Sequence, residues 1–114
     1  CEFAWTSFRA PARIYKYSPV DKQRFHPTQK PAALYKWLLN NYAKKGDKIL
    51  DTHLGSGSSV IACYDMQFEY IGFEIDKEYF DLANKRIERH KAQMNIFDFT
   101  KEAHHATQTH LPPP

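Results

Sequence analysis

Two glycines and one carboxylate are spaced as they are in nucleotide-binding α/β proteins. Gly55 and Gly57 fall in the turn 54–57, directly after a short apolar run that ends at Asp51. Glycine lets the backbone come close to a ligand, and the start of the following helix offers free N–H groups. Glu74 closes the next apolar run, about 20 residues after the turn, where a carboxylate can accept both hydroxyls of a ribose. The spacing therefore predicts a nucleoside site.

The same stretch lacks the residues that hold phosphates. A dinucleotide-binding turn has a third glycine, and Val60 occupies that position here. The phosphate-binding pattern G-x-x-x-x-G-K-[ST] is also absent. A nucleoside without phosphates therefore fits better than a dinucleotide. On these residues alone, a purely structural turn beside a solvated Glu74 is an equally good interpretation.

The elements around the turn are predicted to form a βαβ unit. The runs 48–51 and 68–74 are typical of short buried strands, and a helix over 58–66 separates them. Two strands joined by a helix in this way lie parallel. The predicted fold class is therefore α/β.

Two further helices flank this unit. The first is predicted to begin at Pro31 and to end at Gly46, and the second has Asp76 as its N-cap. Their buried faces are predicted from apolar residues at helical spacing, which are Leu34, Trp37, Leu38 and Tyr42 in the first helix and Phe80, Ala83 and Ile87 in the second.

Both ends of the chain carry additional predicted features. The segments 3–8 and 13–17 are predicted to form an N-terminal pair of strands, and 96–99 one more strand. From residue 100 the chain is polar, rich in histidine, and ends in three prolines. We therefore expect a folded domain over 1–99 and a flexible tail over 100–114. Three tail histidines could bind a metal, but a solvated tail is favoured over a metal site: His104, His105 and His110.

Composition narrows the class of protein without deciding the function. The 114 residues suffice for one domain or part of one, and the net charge of +3 suits a nucleic-acid partner as well as many other enzymes. No apolar run approaches the roughly 18 residues that span a membrane. Cys1 and Cys63 are far apart, which favours a reducing, cytoplasmic setting. The start at Cys1 without a methionine suggests a fragment or a processed product.

Three segments in register point to one enzyme family. They are HPTQKP at 26–31, DTHLGSGSS at 51–59 and IGFEID at 71–76. Their order resembles that in the adenine-N6 and cytosine-N4 DNA methyltransferases of the permuted β group, especially phage-type members. The resemblance extends from residue 26 to about 90, and CEFAWTSF at 1–8 is similar to the strand that precedes this region in phage members.

The resemblance implies a partial Rossmann-like methyltransferase fold and S-adenosyl-L-methionine as the cofactor. Glu74 would accept hydrogen bonds from the ribose, and Ile75 would lie against the adenine. Thr28, Gln29 and Lys30 would lie near the methionine carboxylate, and a solvated Lys30 is the less favoured alternative. The methionine part would be wrapped by residues of the glycine turn, namely Asp51, Leu54, Gly55, Ser56 and Gly57.

One departure from the family pattern concerns the adenine. The family has Pro-Phe after the aspartate, and this chain has Thr52-His53. An aromatic contact with the adenine must therefore come from the His53 imidazole or be absent.

The catalytic part of such an enzyme is missing from these residues. The family holds the target amine, on a flipped-out base, with a D/N/S-P-P-Y/F/W segment, and the only adjacent prolines here are Pro112–Pro114. In the β group that segment precedes HPTQKP, so we expect it upstream of Cys1. No catalytic or target-reading residue can therefore be assigned, and the chain alone should be inactive.

Three interpretations follow. The leading one is the cofactor-binding portion of a DNA amino-methyltransferase, adenine-specific rather than cytosine-specific, whose missing half lies upstream or on a second chain. Its partners would be DNA, that half, and optionally a second copy in a homodimer. A second interpretation is a non-catalytic module that binds the cofactor or DNA and regulates a partner. A small-molecule or RNA methyltransferase is the third, and the pairing of HPTQKP with the glycine turn disfavours it.

Overall fold

The described part of the chain folds into three helices and two short strands. The computed structural model describes residues 2–17 and 24–108, with the backbone alone for 102–108. The elements, in chain order, are α1 (Ala32–Tyr42), β1 (Lys48–Asp51), α2 (Ser58–Asp65), β2 (Glu69–Gly72) and α3 (Lys77–Gln108).

The two strands confirm the predicted βαβ unit and the α/β class. β1 and β2 pair in parallel, with Leu50 opposite Ile71 and Asp51 opposite Gly72. β2 is shorter than the predicted strand 68–74, but the pairing continues past its end, because the Phe73 N–H donates to the Asp51 carbonyl at 2.9 Å. The carboxyl ends of both strands therefore meet at one edge of the sheet.

The core lies on one face of this sheet, where α2 packs between α1 and α3. Tyr70 contacts both halves of the core. One half joins α2 to α3 and to the glycine turn, and the other joins α2 to α1. The buried apolar residues are Leu54, Val60, Ile61, Ala83 and Ile87 in the first half, and Leu39, Ala62 and Cys63 in the second.

α1 begins as predicted and ends early. Pro31 is its N-cap, and the helix stops at Tyr42 instead of Gly46, because Ala43 is already extended. Gly46 lies in the turn that follows, with a φ of 91°. Leu39, which lies beside the predicted apolar stripe, is the one buried residue of α1.

The predicted pair of N-terminal strands is wrong. Residues 2–17 form an irregular segment, because no strand in 24–108, the other described range, offers them backbone hydrogen bonds. Their side chains instead reach the outer face of α1, which explains why its predicted stripe is apolar. Phe8 packs on Tyr42 at 5.3 Å between ring centroids, and Tyr15 packs on Trp37 at 5.4 Å.

α3 begins as predicted but is much longer. The Asp76 carboxylate accepts the Tyr79 N–H at 3.0 Å and so caps the helix. Ala83 and Ile87 are buried as predicted, whereas Phe80 is 40% exposed. The predicted strand 96–99 is wrong, because α3 runs through it without a glycine or proline to stop the helix.

The predicted boundary between residues 99 and 100 falls inside this helix. The flexibility of the tail stays a prediction, and residues 109–114, with the His104 and His105 side chains, lie outside the described part of the chain. Among the described residues, no helix is both long and apolar enough to cross a membrane.

Candidate functional site

The glycine turn and Glu74 meet at the carboxyl edge of the two-stranded sheet. Ligands of parallel α/β proteins bind at this edge, because the loops that leave adjacent strands converge there. The Leu54 N–H donates to the Phe73 carbonyl at 2.8 Å, which ties the loop after β1 to the loop after β2. The fold therefore brings the predicted nucleoside-binding residues together.

Glu74 is fixed by two backbone groups. Its Oε2 accepts the Gly55 N–H at 2.9 Å, and its Oε1 accepts the Asp76 N–H at 3.0 Å. These N–H groups of Asp76 and Gly55, with a smaller contribution from His26, lower the pKa of the Glu74 carboxyl below its ordinary value. The carboxylate is thus charged and oriented, and each oxygen keeps a lone pair for a further donor.

Asp51 shapes the turn from the other side. Its Oδ1 accepts the His53 N–H at 3.0 Å, and its Oδ2 accepts the Ser59 hydroxyl at 2.5 Å. The carboxylate therefore connects the end of β1 to the first turn of α2. Its negative charge also helps burial to raise the pKa of the Cys63 thiol.

Both glycines of the turn have positive φ, 55° at Gly55 and 79° at Gly57. A Cβ at Gly57 would lie only 2.9 Å from Cδ1 of Ile87, so α3 packs directly on this glycine. A Cβ at Gly55 would lie 3.6 Å from the His26 ring. The turn needs glycine for its backbone at both positions and for packing at Gly57.

Two of the predicted cofactor contacts have side chains that face the protein. Leu54 is buried and packs against Gly72, and Ser56 is buried beside Ser58, with 3.2 Å between their hydroxyl oxygens. Only their backbone remains for a ligand to contact. The side chains of His53 and Ile75 are exposed at the same edge, and Ile75 is completely exposed.

The predicted residues of the HPTQKP segment have three different environments. Gln29 is buried, and its Oε1 accepts the Phe25 N–H at 3.3 Å. The Thr28 hydroxyl lies 3.1 Å from Nδ1 of His26. The Lys30 ammonium pairs with the Glu2 carboxylate at 3.0 Å.

The segment is nevertheless attached to the glycine turn. The Ser58 hydroxyl donates to the Lys30 carbonyl at 2.6 Å. This hydrogen bond joins the stretch before α1 to the first residue of α2. Segments 28 residues apart in sequence therefore meet at one site.

Two residues of this region, Tyr79 and Arg86, were missed by the sequence interpretation. The His26 ring lies beside Gly55 and packs on Tyr79 at 4.4 Å between ring centroids. Arg86 reaches from α3 to the turn and donates to the Ser56 carbonyl at 3.0 Å. One signal was available for Arg86, since a charged residue stands between Ala83 and Ile87 on the predicted buried face of a helix.

Comparison with known proteins agrees with this geometry. A family model described as DNA methylase, of the N6/N4 type, matches residues 5–85, which is more than half of the chain. The chain belongs to the N6/N4 DNA methylase family. The match includes the glycine turn, Glu74 and the HPTQKP segment. The narrower resemblance to phage-type members stays a prediction.

Individual relatives in this family are longer than the chain. The type II methyltransferase M.HpaI of Haemophilus parainfluenzae is 33% identical over 96 residues, which are 81% of this chain and 30% of that protein. The type II methyltransferase M2.DpnII of Streptococcus pneumoniae is 40% identical over 63 residues, 55% of this chain and 24% of that protein. The chain thus spans less than a third of either relative.

A solved structure extends the similarity to the fold. The crystal structure of the M1.HpyAVI–SAM complex superposes with a TM-score of 0.55 at 34% identity. The superposition covers 69% of this chain and 42% of that one. The two-stranded sheet and its helices are therefore part of a partial Rossmann-like methyltransferase fold.

Proposed function

We propose that this chain is the S-adenosyl-L-methionine-binding portion of a DNA amino-methyltransferase. The observation that carries the proposal is the hydrogen bond from the Gly55 N–H to the Glu74 carboxylate at the carboxyl edge of the sheet. It places an oriented anion beside a glycine turn, which suits a nucleoside with two free ribose hydroxyls. The family and the cofactor complex of M1.HpyAVI support the same ligand.

The proposed orientation of the cofactor uses residues on both sides of the turn. Glu74 accepts hydrogen bonds from the ribose hydroxyls, and the exposed Ile75 and His53 side chains lie against the adenine. The methionine part extends along the backbone of the turn, past Asp51, toward the HPTQKP segment. There Thr28 and Lys30 lie near its carboxylate, and Gln29 holds the segment in place from the interior.

The geometry disfavours a dinucleotide. Val60 stands where the third glycine of a dinucleotide-binding turn would be, and its side chain is buried. The first turn of α2 is covered by the side chains of Ser58 and Arg86, which are hydrogen bonded to each other at 2.7 Å. A pyrophosphate would need this first turn to be open.

The substrate and the reaction follow as a proposal from the family. The whole enzyme transfers a methyl group to the exocyclic amine of a base in DNA, with adenine N6 preferred over cytosine N4 as the target. The residues that hold the amine belong to a part of the enzyme outside 1–114, so this portion alone transfers no methyl group. The free, buried Cys63 is compatible with a reducing, cytoplasmic setting.

Binding calorimetry with the purified chain tests the proposal. S-adenosyl-L-methionine and S-adenosylhomocysteine should bind at one site, with one molecule per chain, and NADH should bind much more weakly. If the chain binds neither S-adenosylhomocysteine nor S-adenosyl-L-methionine, or binds NADH more tightly than either, it does not have the proposed function. The variant Gly55→Val serves as the matched negative control, because it fills the space beside the His26 ring.

A further inference from the structure

The guanidinium of Arg86 donates several hydrogen bonds to the glycine turn and to the first residue of α2. Its Nη1 donates to the Ser56 carbonyl at 3.0 Å, to the Ser56 hydroxyl at 3.3 Å and to the Ser58 hydroxyl at 2.7 Å. Arg86 lies on α3, 30 residues from Ser56 in sequence. Ser56 and Ser58 are both buried, so these oxygens have little access to solvent.

Two opposite charges thereby hold neighbouring residues of the turn. The Glu74 carboxylate accepts the N–H of Gly55, and the Arg86 guanidinium donates to the carbonyl of Ser56. One charge comes from the loop after β2 and the other from the middle of α3. Hydrogen bonds to charged groups are stronger than those between neutral groups, so the backbone of the turn is fixed from both sides.

Stability of α2 does not account for this arrangement. Gly57 is the N-cap of α2, and a cation at the N-terminal end of a helix is disfavoured by the helix dipole. The guanidinium is held there by oxygens of the turn itself. Its contacts therefore serve the conformation of the turn and not the helix that follows.

The contacts of Arg86 extend to the HPTQKP segment. Ser58, which accepts from Arg86, donates its own hydroxyl hydrogen to the Lys30 carbonyl at 2.6 Å. Arg86, Ser58 and Lys30 thus form one hydrogen-bonded series that links α3, the first residue of α2 and the HPTQKP segment. Glu74 serves the ribose in the proposed function, and this series lies on the side assigned to the amino-acid part of the cofactor.

We propose that Arg86 is a positioning residue for the amino-acid part of S-adenosyl-L-methionine. It fixes the carbonyl of Ser56 toward α3 and, through Ser58, fixes the backbone of Lys30, so that the turn and the HPTQKP segment present one continuous surface to the ligand. This proposal rests on the proposed function. Arg86 acts through Ser56 and Ser58 and not through contact with the ligand.

Two ligands that differ only in the amino-acid part provide the test. S-adenosylhomocysteine carries that part, and 5′-methylthioadenosine lacks it but keeps the ribose, the adenine and a thioether. Calorimetry should show that Arg86→Met lowers the affinity for S-adenosylhomocysteine by about 10-fold or more, which is the effect expected from the loss of one charged hydrogen bond. The affinity for 5′-methylthioadenosine should change by less than about 3-fold. Arg86→Lys, which keeps a cationic donor, should recover part of the loss.

Matched variants separate positioning from a general loss of structure. Lys85→Met removes a neighbouring charge on α3 and should leave both affinities unchanged. Ser58→Ala removes the hydrogen bond that links Arg86 to Lys30 and is the smaller substitution. If Arg86→Met folds poorly, Ser58→Ala should still lower the affinity for S-adenosylhomocysteine more than the affinity for 5′-methylthioadenosine. Amide NMR adds a ligand-free measurement, in which the Gly55 and Gly57 resonances should move in Arg86→Met and stay in place in Lys85→Met.

The outcomes distinguish the two proposals. If the unmodified chain binds neither ligand, the proposed function fails, whatever the variants do. The chain binds both ligands if the cofactor assignment is right. If Arg86→Met then lowers the two affinities equally, or lowers neither, the positioning role is overturned while the cofactor assignment survives. A selective loss that Arg86→Lys partly reverses supports the positioning role.

Discussion

Glu74 accepts a hydrogen bond from the Gly55 N–H at 2.9 Å, although 19 residues separate the two in sequence. The contact joins the acidic end of one strand to the glycine turn after the other. We expect Glu74→Ala to weaken S-adenosyl-L-methionine binding by about 10- to 100-fold, because hydrogen bonds to a charged group are lost. Calorimetry measures this, and Glu69→Ala is the control, since its exposed ion pair with Lys48 lies at the other end of the sheet. Unchanged affinity in Glu74→Ala would remove Glu74 from the site.

A partly buried ion-pair cluster should make stability depend on pH. Asp65 on α2 lies 2.5 Å from His90 on α3 and 2.5 Å from Lys36 on α1. Burial by itself raises the pKa of the Asp65 carboxyl, but the hydrogen bonds from His90 and Lys36 outweigh it and hold that pKa below its ordinary value. The lowered pKa means that the ionised Asp65 carboxylate stabilises the folded protein. This stabilisation is complete at pH values above the pKa of Asp65 in the unfolded chain, near 3.8, and it is lost as the pH falls through the lower pKa of the folded protein.

The variant Asp65→Asn should therefore cost about 1–3 kcal/mol at pH 7. Below pH 4, the free energy of unfolding should decrease much less with falling pH in this variant than in the unmodified chain. Urea denaturation over a pH series measures both quantities. Asp81→Asn is the control, because the Lys77–Asp81 pair is exposed on the surface of α3 and should contribute less than about 1 kcal/mol. Equal effects of the two substitutions would contradict a special role for the cluster.

Two glycines with positive φ differ in what surrounds them. At Gly57, with a φ of 79°, an added Cβ would lie 2.9 Å from Ile87, whereas at Gly46, with a φ of 91°, it would meet no atom within 4 Å. Gly46→Ala should cost about 1–2 kcal/mol from the left-handed backbone alone. Gly57→Ala should cost about 1 kcal/mol more than this, because Ile87 must also move. Thermal or urea denaturation of both variants measures the difference in their free energies of unfolding. An equal loss of stability would mean that the Ile87 side chain moves aside without a measurable energetic cost.

The sheet leaves an apolar face that should promote self-association. Leu50 and Ile71 are each 61% exposed and Phe73 is 58% exposed, on the face opposite to the helices. Parallel sheets are normally covered on both faces, and in the part of the chain that the structure describes neither strand has a second neighbour. Light scattering should therefore detect a dimer or larger species, and Ile71→Lys should shift it toward monomer. A monomer that persists at all concentrations would contradict this prediction.

Methyl transfer should require residues outside this chain. Saturating S-adenosyl-L-methionine with residues 1–114 alone should give no incorporation of labelled methyl into mixed-sequence DNA, because the sequence contains no Pro-Pro-aromatic segment of the kind that holds the target amine in the family. An added segment with an Asp-Pro-Pro-aromatic run, fused upstream or supplied as a second chain, should restore transfer. Robust incorporation by the chain alone would show that it contains a catalytic group, and His26, Tyr15 and Tyr17 would be the first residues to substitute.

The amino-acid sequence by itself determined the βαβ unit, the start of both flanking helices and the position of the glycine turn. These features depend on local patterns, namely apolar runs of strand length, Asp76 as a helix cap, and glycines where the backbone φ is positive. Glu74 could be located because the length of the helix between parallel strands sets its distance from the turn. The family followed from motifs that are contiguous in sequence.

Only the tertiary structure decided which distant groups complete the site. Arg86 could not be assigned to the turn from spacing, because its partner Ser56 is 30 residues away and the contact depends on how α3 packs against Gly57. The segments 3–8 and 96–99 have strand-like composition, but a strand forms only where another strand supplies hydrogen bonds. Without that partner, the first segment remained irregular and the second continued α3, since a helix makes its hydrogen bonds within its own chain.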